Sequence, residues 1–231
     1  MNKSKLKVSD NDIVVPGELL AQGMNYLPSH GTYRLKENIL SSKLGLVRID
    51  GKVIKLIPLS GKYLPKKGDV IIGKIKDINF SGWRVETNSA YVAMLSMKDA
   101  SSDYIPKGAD LTKYFEVGDF ILTKITNVTS QNLIDLSMKG PGLKKLNSGR
   151  IVIIDPTKVP RIIGKRGSMV SMIKNSTKCN IIVGQNGVIW IKGEPEDEYI
   201  ASEAIKIIEK ESHVSGLTNR INEFIKSEKV K

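Results

Sequence analysis

The sequence predicts a multidomain α+β protein with an all-β N-terminal module, a five-stranded barrel and a C-terminal α/β domain. Short apolar runs separated by Gly- and Pro-containing turns fill the first 140 residues or so, and helical periodicity is sustained only beyond Gly167. At 231 residues the chain is long enough for two or three small domains. We expect domains at residues 1–64, 65–142 and 146–231.

The positive charge of the chain is concentrated in one segment. The formal net charge is +12, and residues 143–193 carry 10 basic and 1 acidic side chains, a net of +9. Residues 194–231 carry 6 basic and 9 acidic side chains, a net of −3. This segregation favours a polyanionic partner such as a nucleic acid.

Other features of the composition bear on the cellular compartment in which the protein is expected. No apolar run is long enough to span a membrane, so we expect no membrane association. A single cysteine and a polar N-terminal segment without a secretory leader indicate a reducing, cytoplasmic location.

The N-terminal module is predicted from its turns. Asp50-Gly51 separates two apolar runs, which is a strong signal for a two-residue hairpin. No helical period is sustained before Tyr63, so we expect short strands only.

The second segment is predicted to form a small Greek-key barrel of the OB type, because five short strands are joined by one long polar connection over residues 98–118. The expected strands are Val70–Ile78, Trp83–Thr87, Tyr91–Leu95, Phe120–Val128 and Leu133–Met138.

The third segment has the order strand, Gly-rich loop, helix, hairpin, helix. Its strands are expected near 150–155, 180–183 and 188–192, and Pro195 opens a helix with Ile200, Ala204, Ile207 and Ile208 inward. A final amphipathic helix begins near Leu217.

The Gly-rich loop Gly164-Lys165-Arg166-Gly167 is the main candidate binding site. Its glycines leave room for another backbone, and the following helix, with Ser168 as predicted N-cap, presents unpaired amides to an anion. The two cations between the glycines add positive charge, and the pair Ile162-Ile163 is expected to form an apolar wall. The loop therefore predicts a phosphodiester-binding site with little sequence discrimination.

With its strand–loop–helix context, the segment from Gly149 to Ser212 resembles the KH RNA-binding domain, whose loop clamps about four nucleotides by their backbone. The resemblance implies that the RNA contacts are Arg161, Ile163, Gly164, Lys165, Arg166, Gly167 and Ser168. Pro156 and Pro160 leave room for only about one turn of the family's first helix.

The middle segment resembles the S-one type of OB fold over Lys67–Val70, Asn79–Trp83 and Asn132–Lys139. Barrels of this type bind single strands by stacking bases on aromatic rings. Phe80, Trp83 and Tyr91 are the candidate contacts.

The complete order, with Ile13–Glu18 at the start and Gly184-Gln185-Asn186-Gly187 before Trp190, resembles the RNA-binding cap subunit of the archaeal exosome. That family implies a homotrimeric cap on a hexameric ring of RNase-PH-like subunits, with single-stranded RNA guided by its 3′ end into the ring for degradation or tailing. The resemblance also implies that the Gly184–Gly187 hairpin packs the KH domain against the barrel. Because the N-terminal module has no nucleic-acid motif, we expect residues 13–63 to dock on the ring.

Three alternatives stay open: a transcription-elongation factor of the NusA type, an independent RNA-degrading enzyme, and an assembly protein with vestigial RNA sites. No carboxylate cluster suitable for metal or acid/base chemistry is recognisable. Asp10 and Asp12 lie in a polar tail, and His30, His213 and Cys179 are interpreted as structural or solvated. We therefore expect no catalytic residue, no metal site and no cofactor.

Overall fold

The structure is a computed structural model that describes residues 5–212 and 216–229. The chain consists of two compact units, Met1–Gly61 and Lys62–Lys231. No helix in the described ranges combines the length and apolar character needed to cross a membrane.

The N-terminal unit consists of short strands in two sheets, which confirms the all-β prediction. The sheets have the strand orders β1-β3-β6-β5 and β2-β7-β8-β4. The strands are β1 (Lys5–Leu6), β2 (Ile13–Val14), β3 (Leu19–Gln22), β4 (Leu27–Pro28), β5 (Thr32–Leu35), β6 (Asn38–Ser41), β7 (Gly45–Asp50) and β8 (Val53–Pro58). Their inward side chains, among them Leu20, Ile39 and Ile54, are fully buried.

The β7–β8 hairpin exists, but its turn lies one residue later than predicted. Asp50 pairs with Val53, so Gly51 and Lys52 form the two-residue turn. Gly51 has a φ of 59°, and a glycine at the first turn position allows the reversal without Asp50 leaving the ladder.

The five-stranded barrel of the second unit is confirmed. The strands are β9 (Val70–Asn79), β10 (Gly82–Glu86), β11 (Val92–Ser96), β12 (Phe120–Val128) and β13 (Ile134–Ser137). Closure comes from β13, which pairs antiparallel with β12 and parallel with β11. The long connection contains a short helix, α1 (Met97–Ala100), and a 3-10 turn at Leu111–Lys113.

A sixth strand, β14 (Lys144–Leu146), pairs with β12 and was not predicted. Its three residues are too few to show an alternating pattern.

The barrel core reaches further toward the N-terminus than expected. Tyr63 is buried with the barrel residues, forms a bridge to Ser89, and donates a hydrogen bond to Asp69 Oδ2 at 2.6 Å. Burial and this hydrogen bond raise the pKa of Tyr63 above its ordinary value. The expected boundary after residue 64 would cut through this core, so we place the division between Gly61 and Lys62.

The C-terminal α/β region has the order that the sequence predicts. Its elements are β15 (Arg150–Ile153), a 3-10 turn (Pro156–Lys158), α2 (Val159–Ile163), α3 (Ser168–Thr177), β16 (Asn180–Val183), β17 (Val188–Lys192), α4 (Pro195–Lys210) and α5 (Leu217–Lys229). The sheet order is β15-β17-β16. Ile200, Ala204 and Ile208 of α4 are buried as predicted, whereas Ile207 is only half-buried and Ile205 takes the inward position instead.

The two faces of this sheet bury different partners. Ile189 and Ile191 face the helices, while Val188 and Trp190 join a separate apolar cluster with barrel residues such as Ile72. Alternation along β17 therefore makes one strand part of two cores.

The hairpin between β16 and β17 fastens the sheet to the barrel through two amide side chains, of which Gln185 accepts from the Val70 amide at 3.1 Å. Asn186 is fully buried; its Nδ2 donates to the carbonyl oxygens of Ile72 (2.8 Å) and Thr87 (2.9 Å). The Ile72 amide donates to Asn186 Oδ1 (3.3 Å), and Asn88 Nδ2 donates to the Asn186 carbonyl (2.9 Å). The predicted structural role of the hairpin, packing the C-terminal domain on the barrel, is confirmed.

We predict that Asn186→Ala lowers the free energy of unfolding by about 3 kcal/mol, because it leaves buried backbone groups of Ile72 in β9 and of Thr87 after β10 without partners. Chemical denaturation measures this. The control is Asn219→Ala, an exposed change on α5, which should stay within about 0.5 kcal/mol. Equal stability of the two variants would contradict the role assigned to Asn186.

Candidate nucleic-acid interface

The Gly164–Gly167 loop turns sharply between α2 and α3. Gly164 has a φ of 74°, Arg166 of 54° and Gly167 of 80°, all in the left-handed region. A Cβ on Gly164 would lie 2.7 Å from the Met169 Cβ and 2.8 Å from the Met169 amide nitrogen. A side chain at position 164 would thus be strained by backbone angle and by contact at once.

The cations of the loop point into solvent without acidic partners. Lys165 and Arg166 are exposed, and no carboxylate of the described residues lies within ion-pair distance of either. Arg161 is also exposed, on the last turn of α2. The charge of Lys165 and Arg166 is therefore available to an anionic ligand.

The start of α3 differs by one residue from the prediction. Gly167 is the N-cap and Ser168 is the first helical residue, and no side-chain hydrogen bond caps the helix. Because Arg166 and Gly167 both adopt left-handed conformations, the helix begins at Ser168, and this residue is exposed beside the loop. The first turn of α3 has no acidic residue, so the positive end of the helix dipole remains uncompensated.

Only one of the two isoleucines before the loop is available as a wall. Ile162 is fully buried among the helices of the domain, which corrects its expected role. Ile163 is partly buried and directly precedes the loop.

The three barrel aromatics occupy different environments. Phe80 is 102% exposed and Tyr91 36% exposed, but Trp83 is fully buried. Trp83 Nε1 donates to the Phe115 carbonyl at 3.1 Å, and its ring meets the Phe115 ring edge-on at 5.2 Å. Trp83 is therefore a core residue, and its prediction as an RNA contact is corrected.

The structure does not bring Phe80 and Tyr91 together. Phe80 lies in the β9–β10 turn, and Tyr91 in the β10–β11 connection at the other end of β10. Thr87 and Asn88 of this connection contact the β16–β17 hairpin, so Tyr91 is on the side of the barrel nearer the C-terminal domain.

Exposed aromatics outside the sequence candidates were missed. The most exposed of these among the described residues is Tyr104, in the β11–β12 connection, which is 84% exposed. The connection was recognised only as polar, and no motif singles out this residue.

The groups considered for chemistry have structural contacts. Asp10 accepts from Arg48 Nη1 (2.9 Å) and the Ile49 amide (3.0 Å), and Asp12 accepts from the Ser9 amide (2.7 Å). Burial raises the pKa of the Cys179 thiol. Within the described residues, no group of three or more His, Cys, Asp or Glu side chains is placed to hold a metal. His213 lies outside the described residues.

Comparison with family models divides the chain in the same order. Residues 13–50 match the exosome complex exonuclease RRP4 N-terminal region, residues 62–109 match the RRP4 S1 domain, and residues 149–197 match a KH domain.

Individual relatives match across nearly the whole chain. The exosome complex component Rrp4 of Methanothermobacter thermautotrophicus is 46% identical over 220 residues, which cover 95% of this chain and 70% of the relative. The Rrp4 of Methanothermus fervidus is 46% identical over 95% of this chain and 97% of its own length. A crystal structure described as an exosome complex RNA-binding protein aligns with a TM-score of 0.68 at 39% identity, covering 73% of this chain and 98% of that one.

We predict that replacing Lys165 and Arg166 together by Glu weakens RNA binding similarly for all sequences, because phosphate contacts carry no base information. The slope of log affinity against log salt should flatten by about 1.4, at ~0.7 per lost phosphate contact on a single strand. Fluorescence anisotropy over a salt series measures both quantities. The matched control reverses the exposed Lys210 and Lys226 of α4 and α5, and an equal loss in that control would contradict a specific loop contact.

Proposed function

The chain belongs to the Rrp4 family of exosome components, and we propose that it is the RNA-binding cap subunit that captures single-stranded RNA and guides 3′ ends into a phosphorolytic ring. The ring, of six RNase-PH-like subunits, then performs 3′-to-5′ degradation or tailing. The observation that carries this proposal is the Gly164–Gly167 loop, with two exposed cations that have no ion-pair partner in the described part of the chain and that lie next to a helix N-terminus without a side-chain cap.

We propose three functional modules on two structural units: a docking module at residues 1–61, the barrel, and the KH domain. The barrel and the KH domain are joined by the buried Asn186 contacts. An RNA held at the KH loop and at the barrel would consequently experience a fixed distance between its two contacts, as a guide toward a channel requires.

We assign ring docking to the N-terminal unit. An apolar row crosses its second sheet, because Ile13 pairs with Leu46 and Leu46 pairs with Ile57. Ile13 is 65% and Ile57 44% exposed. Exposed aliphatic side chains in one row are typical of protein contacts and not of nucleic-acid contacts.

Three copies of the chain in a cap would compensate for weak individual sites. Linked sites raise the local concentration of binding surfaces and increase avidity by roughly 10²–10⁴ without new contacts. We therefore propose a homotrimeric cap, in the cytoplasm, that uses no cofactor and performs no catalysis itself. The elongation-factor and independent-enzyme alternatives are not favoured, because relatives matching nearly the whole chain are exosome components.

We predict that the purified protein binds labelled single-stranded RNA and does not shorten it in the presence of phosphate and magnesium, because its polar clusters serve structural contacts. Gel analysis over time measures this. RNA shortening proportional to protein concentration, and lost in Asp10→Asn or Asp12→Asn, would contradict the non-catalytic assignment.

We also predict that removing residues 1–61 abolishes association with the ring and processive decay by the reconstituted complex, while RNA binding by the remaining unit persists. Size-exclusion chromatography and a decay assay measure the two effects. The full-length chain with Lys165 and Arg166 changed to Glu is the reciprocal control, since it should join the ring and bind RNA poorly. A truncated chain that still joins the ring would place docking elsewhere.

A further inference from the structure

Strand β15 lies at an open edge of the C-terminal sheet. The sheet order is β15-β17-β16, and within the described residues β15 pairs with β17 alone. Ile153 of β15 is 66% exposed, which makes it the most exposed large apolar side chain among the described residues of the C-terminal α/β region. An apolar strand at a sheet edge is a template for pairing with another strand.

The edge lacks the features by which proteins usually prevent such pairing. β15 contains no proline and no lysine, and its ladder with β17 runs without a bulge. By contrast, β14, an edge strand of the barrel sheet, carries two lysines, Lys144 and Lys145. The edge of β15 is therefore open to a partner strand.

The backbone groups that face this edge belong to Ile151 and Ile153. The amide of Ile154 donates to the Gly187 carbonyl at 2.9 Å, so Ile154 faces β17. Hydrogen-bonded and non-hydrogen-bonded positions alternate along an antiparallel ladder. The amides and carbonyls of Ile151 and Ile153 consequently point away from β17, toward the open edge.

A second β15 strand satisfies these groups when it is placed antiparallel about a two-fold axis at Val152. In that register Ile151 of one copy lies opposite Ile153 of the other, and each of the two pairs exchanges two hydrogen bonds. The exposed side chain of Ile153 then packs beside Ile151 of the other copy, which is a favourable cross-strand pair of β-branched residues.

The charges at the two ends of the strand are complementary in the same register. Arg150 is exposed and has no ion pair within the described residues. It pairs with Ile191, which packs against the helices, so its side chain lies on the face of the sheet that carries α4. At the other end of β15, Glu209 of α4 accepts from the Asp155 amide at 2.7 Å. The antiparallel arrangement places Arg150 of one copy opposite Ile154 of the other, next to that Glu209.

We propose that two copies of the chain associate through their β15 edges into a two-fold dimer with a continuous six-stranded sheet. The occupant is a second copy and not an unrelated strand, because the outward backbone groups and the end charges of β15 complement themselves about one axis. The dimer is a state of the free chain, distinct from the proposed trimeric cap, and it does not depend on RNA binding. A four-residue edge buries less than the ~1,600 Å² of a standard interface, so we expect a dissociation constant of about 100 µM.

Sedimentation velocity of the full-length chain over about 5–500 µM tests this proposal. Wild type should pass from monomer to dimer across the range. Ile153→Pro should weaken the dimer roughly 30-fold or more, because it removes two of the four intermolecular hydrogen bonds and leaves the ladder with β17 intact. The matched control, Ile153→Val, keeps the amide and a β-branched side chain and should stay within about 5-fold of wild type.

A charge exchange tests the register independently. Arg150→Glu and Glu209→Lys should each dimerise about 10-fold more weakly when alone, because each variant places like charges on the two sides of the axis. An equimolar mixture of the two should form a heterodimer, since opposite charges then face each other at both ends. Circular dichroism and the fluorescence of the buried Trp190 show whether each variant is folded. If Ile153→Pro does not fold, the charge exchange decides the question alone.

Three results would overturn the inference. One is a wild-type chain that stays monomeric at about 500 µM, and another is a dimer that neither Ile153→Pro nor the charge variants weaken, which would place the contact elsewhere. The third is protection of the Ile151 and Ile153 amides from hydrogen exchange only when ring subunits are added, which would identify a different partner strand. RNA binding measured by anisotropy should be equal in wild type and Ile153→Pro. Its absence from both would contradict the proposed function and leave the dimer standing.

Discussion

The junction between the barrel and the C-terminal sheet is centred on one fully buried amide side chain, that of Asn186. Both polar side-chain atoms of Asn186 form hydrogen bonds to the backbone of the barrel. Oδ1 accepts from the Ile72 amide, and Nδ2 donates to the Ile72 and Thr87 carbonyls. These groups are withdrawn from water, so leaving them unpaired would be costly. Because an amide must be positioned to satisfy a donor and two acceptors at once, the contact fixes orientation as well as adding stability. The apolar cluster around Trp190 and Ile72 adds area to this contact.

The exposed cations and the exposed aromatic rings lie in different domains of the second unit. The KH loop holds exposed cations beside a helix N-terminus, while the barrel exposes Phe80 in the β9–β10 turn and Tyr104 in the β11–β12 connection. Coulombic attraction acts over a Debye length of about 8 Å at physiological salt and needs no fixed orientation, whereas stacking requires contact. The contacts of Asn186 connect the domain that carries the cationic loop to the barrel.

Sequence reasoning was effective wherever a local pattern determined the outcome. Alternation of apolar and polar residues predicts the strands of the barrel, and short apolar runs between turns predict those of the KH sheet. The glycines predict the loop, because the positive φ at Gly164 and Gly167 is a local requirement. It was unreliable where tertiary packing decides. Phe80 and Trp83 are three residues apart and chemically alike, yet one is in solvent and the other in the core. Ile162 and Ile163 divide in the same way. Which member of such a pair is buried depends on strand β10 or helix α2 meeting distant neighbours. Tyr104 was missed for a related reason, because its exposure follows from the burial of Ile105.

The Asn186 contact also bears on how the chain is made. Asn186 lies 114 residues after Ile72 and 99 residues after Thr87 in the sequence, and it hydrogen-bonds to both. Contacts of such sequence separation form late, after the entropy of closing a long loop has been overcome. During synthesis from the N-terminus the barrel strands emerge first, and the hairpin follows only after the complete barrel and more than thirty further residues have left the ribosome. Until the hairpin has been synthesised, the amide and carbonyl of Ile72 in β9 therefore remain hydrated. The C-terminal sheet then packs on a barrel that has already folded. Before that step, the apolar outer face of the barrel, which includes Ile72 and Leu122, is exposed to other molecules.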